Sequence, residues 1–201
     1  MKNYFTVFTA VCSAVLLISC AGLPHEKVKL PPEQPLPPEH IMGKGMVSRD
    51  TLTDFLLQNN SGVSKNFVSA LSGYYIEEAA AEGVNHDTAF AQMCLETGFL
   101  HYGGLVTPEM NNFCGLGAIG PQEPGLSFPD PRTGVRAHIQ HLKAYASTEP
   151  LNNALVDPRY RYVKLGSSPT IHGLSGTWAA DKLYSGKIGA ILQRLYDFAF
   201  L

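Results

Sequence analysis

Ala91-Gln92-Met93-Cys94-Leu95-Glu96-Thr97-Gly98-Phe99 carries an apolar helical run into a single carboxylate and then breaks at once into Thr-Gly and an aromatic. A glutamic acid at a helix end among apolar groups holds its proton more readily than one in water, which is what general-acid chemistry needs. The plainer alternative is a helix-terminal Glu that only solvates. Upstream, Asn85 or Asp87 starts the helix that delivers Glu96, with Phe90, Met93 and Leu95 available for burial and Gly98 placed to end it. Further back, Ser48 caps a helix bearing Leu52, Phe55 and Leu56, and Ser64 caps another bearing Phe67, Val68, Leu71, Tyr74 and Tyr75. Downstream, the glycines and prolines crowded between Gly103 and Gly134 forbid a long helix and leave short strands or loops. Helix resumes near Val135 to Tyr145, pauses through Pro150 to Pro158, and closes with an amphipathic stretch carrying Ile188, Ile191, Leu192, Leu195 and Phe198. The expected fold is α+β, mainly α: a helical lobe and a small loop-rich lobe flank a groove suited to an extended polymer, with Glu96 at their junction.

The N-terminus speaks to compartment. Lys2, the apolar run from Phe5 to Ile18 and the ending Leu17-Ile18-Ser19-Cys20 read as a signal peptide, too short for a membrane span. The ending resembles the lipobox of bacterial lipoproteins, whose cysteine is acylated and becomes the first residue after cleavage. Cys20 is then a lipid anchor in the cell envelope, where each buried methylene contributes about 0.8 kcal/mol of membrane affinity. Residues 21–45 hold Pro24, Pro31, Pro32, Pro35, Pro37 and Pro38 and few large apolar side chains, and read as a tether spanning at most roughly 75 Å in polyproline II. Residues 46–201 are left for one catalytic domain. The formal charge of -2 becomes -3 once residues 1–20, with Lys2 and no acid, are removed. Without clustered base the chain shows no nucleic-acid footprint. Of four cysteines, Cys94 and Cys114 belong to the domain, and are either a disulfide in an oxidising envelope or buried free thiols.

Four segments occur in order: Glu96-Thr-Gly-Phe; Asn111-Asn112-Phe113-Cys114-Gly115-Leu116-Gly117-Ala118; Gly134-Val135-Arg136-Ala137-His138-Ile139-Gln140-His141; and Trp178-Ala-Ala-Asp181-Lys-Leu-Tyr184. Together they resemble the bacterial endo-β-N-acetylglucosaminidases of glycoside hydrolase family 73, across nearly all of residues 64–201. The resemblance implies a lysozyme-like fold. It also implies hydrolysis of peptidoglycan glycan strands after N-acetylglucosamine, at its β-1,4 bond to N-acetylmuramic acid; a muramidase or lytic transglycosylase, or a non-catalytic peptidoglycan-binding lipoprotein, is the alternative. The chain is expected to be a monomer without cofactor or metal. Glu96 matches the family's catalytic glutamate, and Asn111, Asn112 and Phe113 match a segment that lines the cleft, where a turn with an asparagine cap is the alternative. Trp178 and Tyr184 are candidates to stack on a sugar, and Tyr184 to reach the reaction centre; core packing is the alternative for each.

The second carboxylate departs from the family pattern. Glycosidases commonly pair acids about 5–5.5 Å apart for retention or about 6.5–9.5 Å for inversion. Family members often carry the second acid on a β-hairpin after the Asn-Asn-Phe segment. That interval here offers only Glu123, favoured as catalytic, and Asp130, favoured as substrate-binding. Attack by the substrate's own 2-acetamido oxygen needs neither. His138 and His141 form an i, i+3 pair, but without a His-Glu-x-x-His motif or a clear third ligand they read as packing residues rather than zinc ligands.

Overall fold

A computed structural model describes residues 34–201, so the signal peptide, Cys20 and the first part of the tether lie outside the described residues. Among the described residues five α-helices carry the fold: α1 (Arg49–Asn59), α2 (Lys65–Glu82), α3 (His86–Thr97), α4 (Pro131–Ala146) and α5 (Tyr184–Phe200). Between α3 and α4 lie the strands β1 (Ala118–Gly120) and β2 (Glu123–Pro124), an antiparallel pair with an irregular register.

Helix α3 is buried from His86 to Cys94 and again at Thr97, the apolar Ala89, Phe90, Ala91, Met93 and Cys94 and the polar Thr88 and Gln92 alike, which puts it in the centre of the domain. Asn85 caps it, its Oδ1 accepting from the backbone N–H groups of Asp87 and Thr88. Helix α2 packs on α1 and α4, while α3 packs chiefly on α5 and α2, giving one core that runs from Leu52 and Phe55 through Tyr75 and Phe90 to Leu192 and Leu195. The polar side chains of α3 are therefore sealed inside and must find partners there, which fixes the geometry described below. Helix α4 lies against α2 through ion pairs: Lys143 meets Glu82 at 2.8 Å in a buried pair, and the partly exposed Arg132 and Arg136 both reach the buried Glu78.

The tether ends earlier than expected. Ile41 is fully buried, and its backbone N–H donates to Pro169 O while its carbonyl accepts from Asn85 N–H. Isolated bridges pair His40 with Thr170 and Met42 with Val84. One isoleucine among prolines and charges is too small a signal to move a composition window, yet its burial ties residues 39–45 into the domain. Cys94 and Cys114 are both buried and free, the second of the two alternatives. No helix among the described residues is long and apolar enough to cross a membrane.

Candidate active site

Helix α3 ends in a complete Schellman motif: the N–H of Phe99 donates to Cys94 O at 2.8 Å and that of Gly98 to Leu95 O at 3.3 Å, with Gly98 left-handed at φ 55°. The left-handed turn continues through Phe99 and Leu100, at φ 57° and 63°, values that side-chain-bearing residues seldom adopt. Thr97 holds it. Its Oγ1 donates to Met93 O at 2.8 Å and accepts from Leu100 N–H at 2.9 Å, and Asn60 donates to Phe99 O. Glu-Thr-Gly is therefore a mechanical unit: Gly98 turns the chain, Thr97 pins the turn, and Glu96 is left on the last turn of a rigid helix.

The Glu96 carboxyl is half-buried, and two donors converge on one of its oxygens. Trp178 Nε1–H donates to Oε1 at 3.1 Å, and the Tyr184 hydroxyl donates to the same atom. Burial raises the Glu96 pKa above the ordinary carboxyl value, and these hydrogen bonds, which favour the ionised form, pull it partly back. Burial beside Glu96 drives the Tyr184 phenol upward, so it acts as a donor rather than a base. The other oxygen, Oε2, accepts no hydrogen bond among the described residues; it borders Gly115, where an added Cβ would stand 3.6 Å from it.

Two chambers meet at Gly115 and Ala118. One, of about 210 Å³, is lined by Glu96, Tyr102, Leu105 and Val106. The other, of about 260 Å³, is lined by Trp178, His141, Tyr145, Thr177 and Arg159. Each is smaller than the about 300–1,000 Å³ of an enclosed ligand site, as befits two stations along an open groove. Trp178 is clamped edge-on by His141, ring centroids 5.0 Å apart, and leans on Tyr145 and His138. His141 is in turn fixed by Asp157, Nδ1 to Oδ2 at 2.7 Å.

Trp178 and Tyr184 thus meet Glu96, and of the Asn-Asn-Phe segment Asn112 lines the Glu96 chamber. Phe113 is 1% exposed and belongs to the core. Asn112 is fully buried; its amide nitrogen donates to Leu116 O and Leu126 O, and its oxygen accepts from Leu116 N–H. Asn111, left-handed at φ 50°, donates to Phe128 O. The hydrogen bonds of the two asparagines shape the loop that carries Gly115 to Glu96. Asp130 is the N-cap of α4, accepting from Thr133 N–H and Oγ1, and lines neither chamber. Glu123 sits exposed on β2, on the hairpin, and lines neither chamber. Asp181 accepts from Leu183 N–H and Lys187 Nζ ahead of α5.

The sequence reading missed Gln92, which donates to the Tyr184 hydroxyl at 2.7 Å. The available signal was its spacing: Gln92 and Glu96 are i, i+4 and share a helix face. Arg159 was also missed, because nothing local marks the segment after Pro158 as part of a groove.

Fold and site together define a glycoside hydrolase of lysozyme-like architecture. A family model described as Mannosyl-glycoprotein endo-beta-N-acetylglucosaminidase matches residues 72–197, and the chain belongs to this family. An uncharacterized protein of Borreliella burgdorferi is 44% identical over 158 residues, covering 79% of this chain and 78% of the relative. Among solved structures, S. aureus autolysin E in complex with a muropeptide, NAM-L-Ala-D-iGlu, superposes with a TM-score of 0.51 at 13% identity, over 82% of this chain and 73% of that one. A catalytic mutant of the same autolysin in complex with the disaccharide NAG-NAM gives a TM-score of 0.51 at 12% identity, over the same shares.

Proposed function

We propose that this protein hydrolyses peptidoglycan glycan strands at the β-1,4 bond after N-acetylglucosamine, with Glu96 as the general acid. The observation that carries the reading is the Glu96 carboxyl itself: raised by burial, held by two donors through one oxygen, and open through the other to a two-chambered groove. Family membership and the muropeptide and disaccharide bound by the autolysin neighbours support the substrate class. In the reaction the proton on Glu96 passes to the glycosidic oxygen as the anomeric C–O bond breaks, its electron pair staying on that oxygen, and water completes the substitution at the anomeric carbon, giving up one proton to a carboxylate. Glu123, carried on the hairpin, is the candidate second carboxylate. Attack by the 2-acetamido oxygen is the route that dispenses with it. Cys20 is proposed to anchor the protein by lipid to the cell envelope, a placement that membrane fractionation of Cys20→Ala tests.

The test of the reaction is digestion of purified peptidoglycan, with mass spectrometry of the reduced fragments, alongside Glu96→Gln. New reducing-end N-acetylglucosamine, absent with the variant, is the expected result. Reducing-end or anhydro N-acetylmuramic acid would reassign the enzyme as a muramidase or lytic transglycosylase. Intact strands that still retain the protein would leave a peptidoglycan-binding lipoprotein.

A further inference from the structure

Behind Tyr184 runs a line of buried polar groups that the general-acid reading does not require. Gln92 Nε2 donates to Tyr184 Oη at 2.7 Å; His138 Nε2 lies 3.0 Å from Gln92 Oε1; Tyr75 Oη lies 2.9 Å from His138 Nδ1. Tyr75, Gln92 and His138 are all fully buried, and they come from α2, α3 and α4 respectively. Buried polar groups in a core this apolar are costly unless each is satisfied, and here each is.

The donor order along the line follows from what each group can do. The Tyr75 hydroxyl has no other acceptor among the described residues, so its proton points to His138 Nδ1. Burial holds the His138 pKa down at about 3, so the ring is neutral and has one donor only, Nε2–H, which points to Gln92 Oε1. The amide nitrogen of Gln92 then faces Tyr184 Oη, and the single Tyr184 proton is left to point at Glu96 Oε1. His138 also leans on the Trp178 ring, 5.8 Å between centroids, and so braces both donors to that oxygen.

We propose that Gln92, His138 and Tyr75 are positioning residues that hold the Tyr184 proton on Glu96 Oε1, so that the acid form of Glu96 carries its own proton on Oε2. That oxygen borders Gly115, which lines both chambers, and it is the one with room to face a glycosidic oxygen. No proton crosses the relay: it sets an orientation, and the proton given to the leaving oxygen is the one on Oε2. The inference rests on Glu96 being the general acid. Of the titratable groups around the carboxyl, Tyr184 from α5 and Cys114 from the loop are both pushed upward, and His138 from α4 is pushed down. Burial raises the Glu96 carboxyl above its ordinary value, while the bonds from Tyr184 and Trp178 pull it partly back.

Gln92→Met keeps a similar volume and removes the amide donor. The expected result is a kcat lower by about tenfold, the effect of weakening one charged hydrogen bond, with KM little changed. The basic limb of the kcat–pH profile should also move upward, because the carboxylate has lost part of a bond that favours its ionised form. His138→Phe should move the limb the same way, and the double variant no further than the larger single, since all three break one line. An unmoved limb with kcat tracking the folded fraction, or additive effects in the double variant, would overturn the inference. NMR titration of 13C-labelled glutamate carboxyls reads Glu96 in the same variants without turnover. A Glu96 titration that shifts in Gln92→Met while the wild type leaves peptidoglycan uncut would fail the proposed function and keep the relay. If Gln92→Met does not fold, Tyr184→Phe cuts the last link and must raise the Glu96 titration; a lowered or unchanged one refutes the relay.

Discussion

Acidification from pH 7.5 to 5 should expose His138 as a stability element. The ring is fully buried and held neutral, with a pKa of about 3 against an ordinary value of 6.5. The unfolded chain binds a proton on this ring below pH 6.5 that the folded chain refuses, so stability is lost as pH falls from 6.5 toward 3. Each unit in that window is worth about 1.4 kcal/mol. At pH 5 the loss is about 2 kcal/mol, and over the whole window about 5 kcal/mol, a sizeable part of the roughly 5–15 kcal/mol that holds a domain together. Glu96 works in the opposite direction: its raised pKa makes the folded chain the better proton acceptor, adding stability as pH falls through that value. The measurement is urea unfolding at both pH values, for wild type and His138→Phe, followed by the fluorescence of Trp178, the chain's one tryptophan. Comparing the pH dependence of the two proteins cancels the carboxylates other than Glu96 to first order, and the upward Glu96 shift expected in His138→Phe widens the same difference. Wild type should therefore lose at least about 2 kcal/mol more than the variant across this step, with equal urea slopes. Equal losses would mean that the ring takes up its proton in the folded state, and would refute the buried neutral histidine.

Three further outcomes follow from single contacts. Gly134→Ala places a Cβ 1.8 Å from Asn111 O, so the loop carrying Gly115 must move; unfolding should be easier by about 1–3 kcal/mol and activity should drop, read from a thermal melt beside an activity assay. Lys143→Met leaves the Glu82 carboxylate buried with only the Asn152 and Asn153 backbone donors, and should cost about 3–5 kcal/mol in denaturant unfolding. Arg159→Gln removes the guanidinium of the Trp178 chamber, so KM should rise for strands bearing carboxylate-rich stem peptides and stay unchanged for strands stripped of them; equal effects on both would place Arg159 outside the groove's recognition.

The helices were open to sequence reading because their signals are local. Ser48, Asn85 and Gly98 mark ends through bonds to residues at most five positions away, and the apolar spacing of α5 marks a buried face. The Asn-Asn-Phe segment illustrates the limit. Its residue types fit a cleft lining and a turn equally, and Asn112 does both, because Leu126, more than a dozen residues away, accepts its amide proton beside the Glu96 chamber, as Phe128 does for Asn111. Asp130 was ambiguous in the same way until the α4 backbone arrived to be capped. Residues 39–45 were read as tether because their partners, Asn85 and Pro169, lie elsewhere in the chain.

From its sequence alone, this chain determines a mainly helical domain, a helix that ends in Glu96-Thr-Gly, and an aromatic at each end of the Trp178 to Tyr184 segment. Periodicity, capping and turn chemistry act over a few residues, so the order of residue types is enough to specify them. Only the tertiary structure decided that Trp178 and Tyr184 meet the same oxygen of Glu96, and that Gln92, His138 and Tyr75 line up behind them from three helices. Those choices come from packing. Burying α3 on every side forces its polar side chains to find partners wherever α2, α4 and α5 present them, a demand that appears only once water has been excluded.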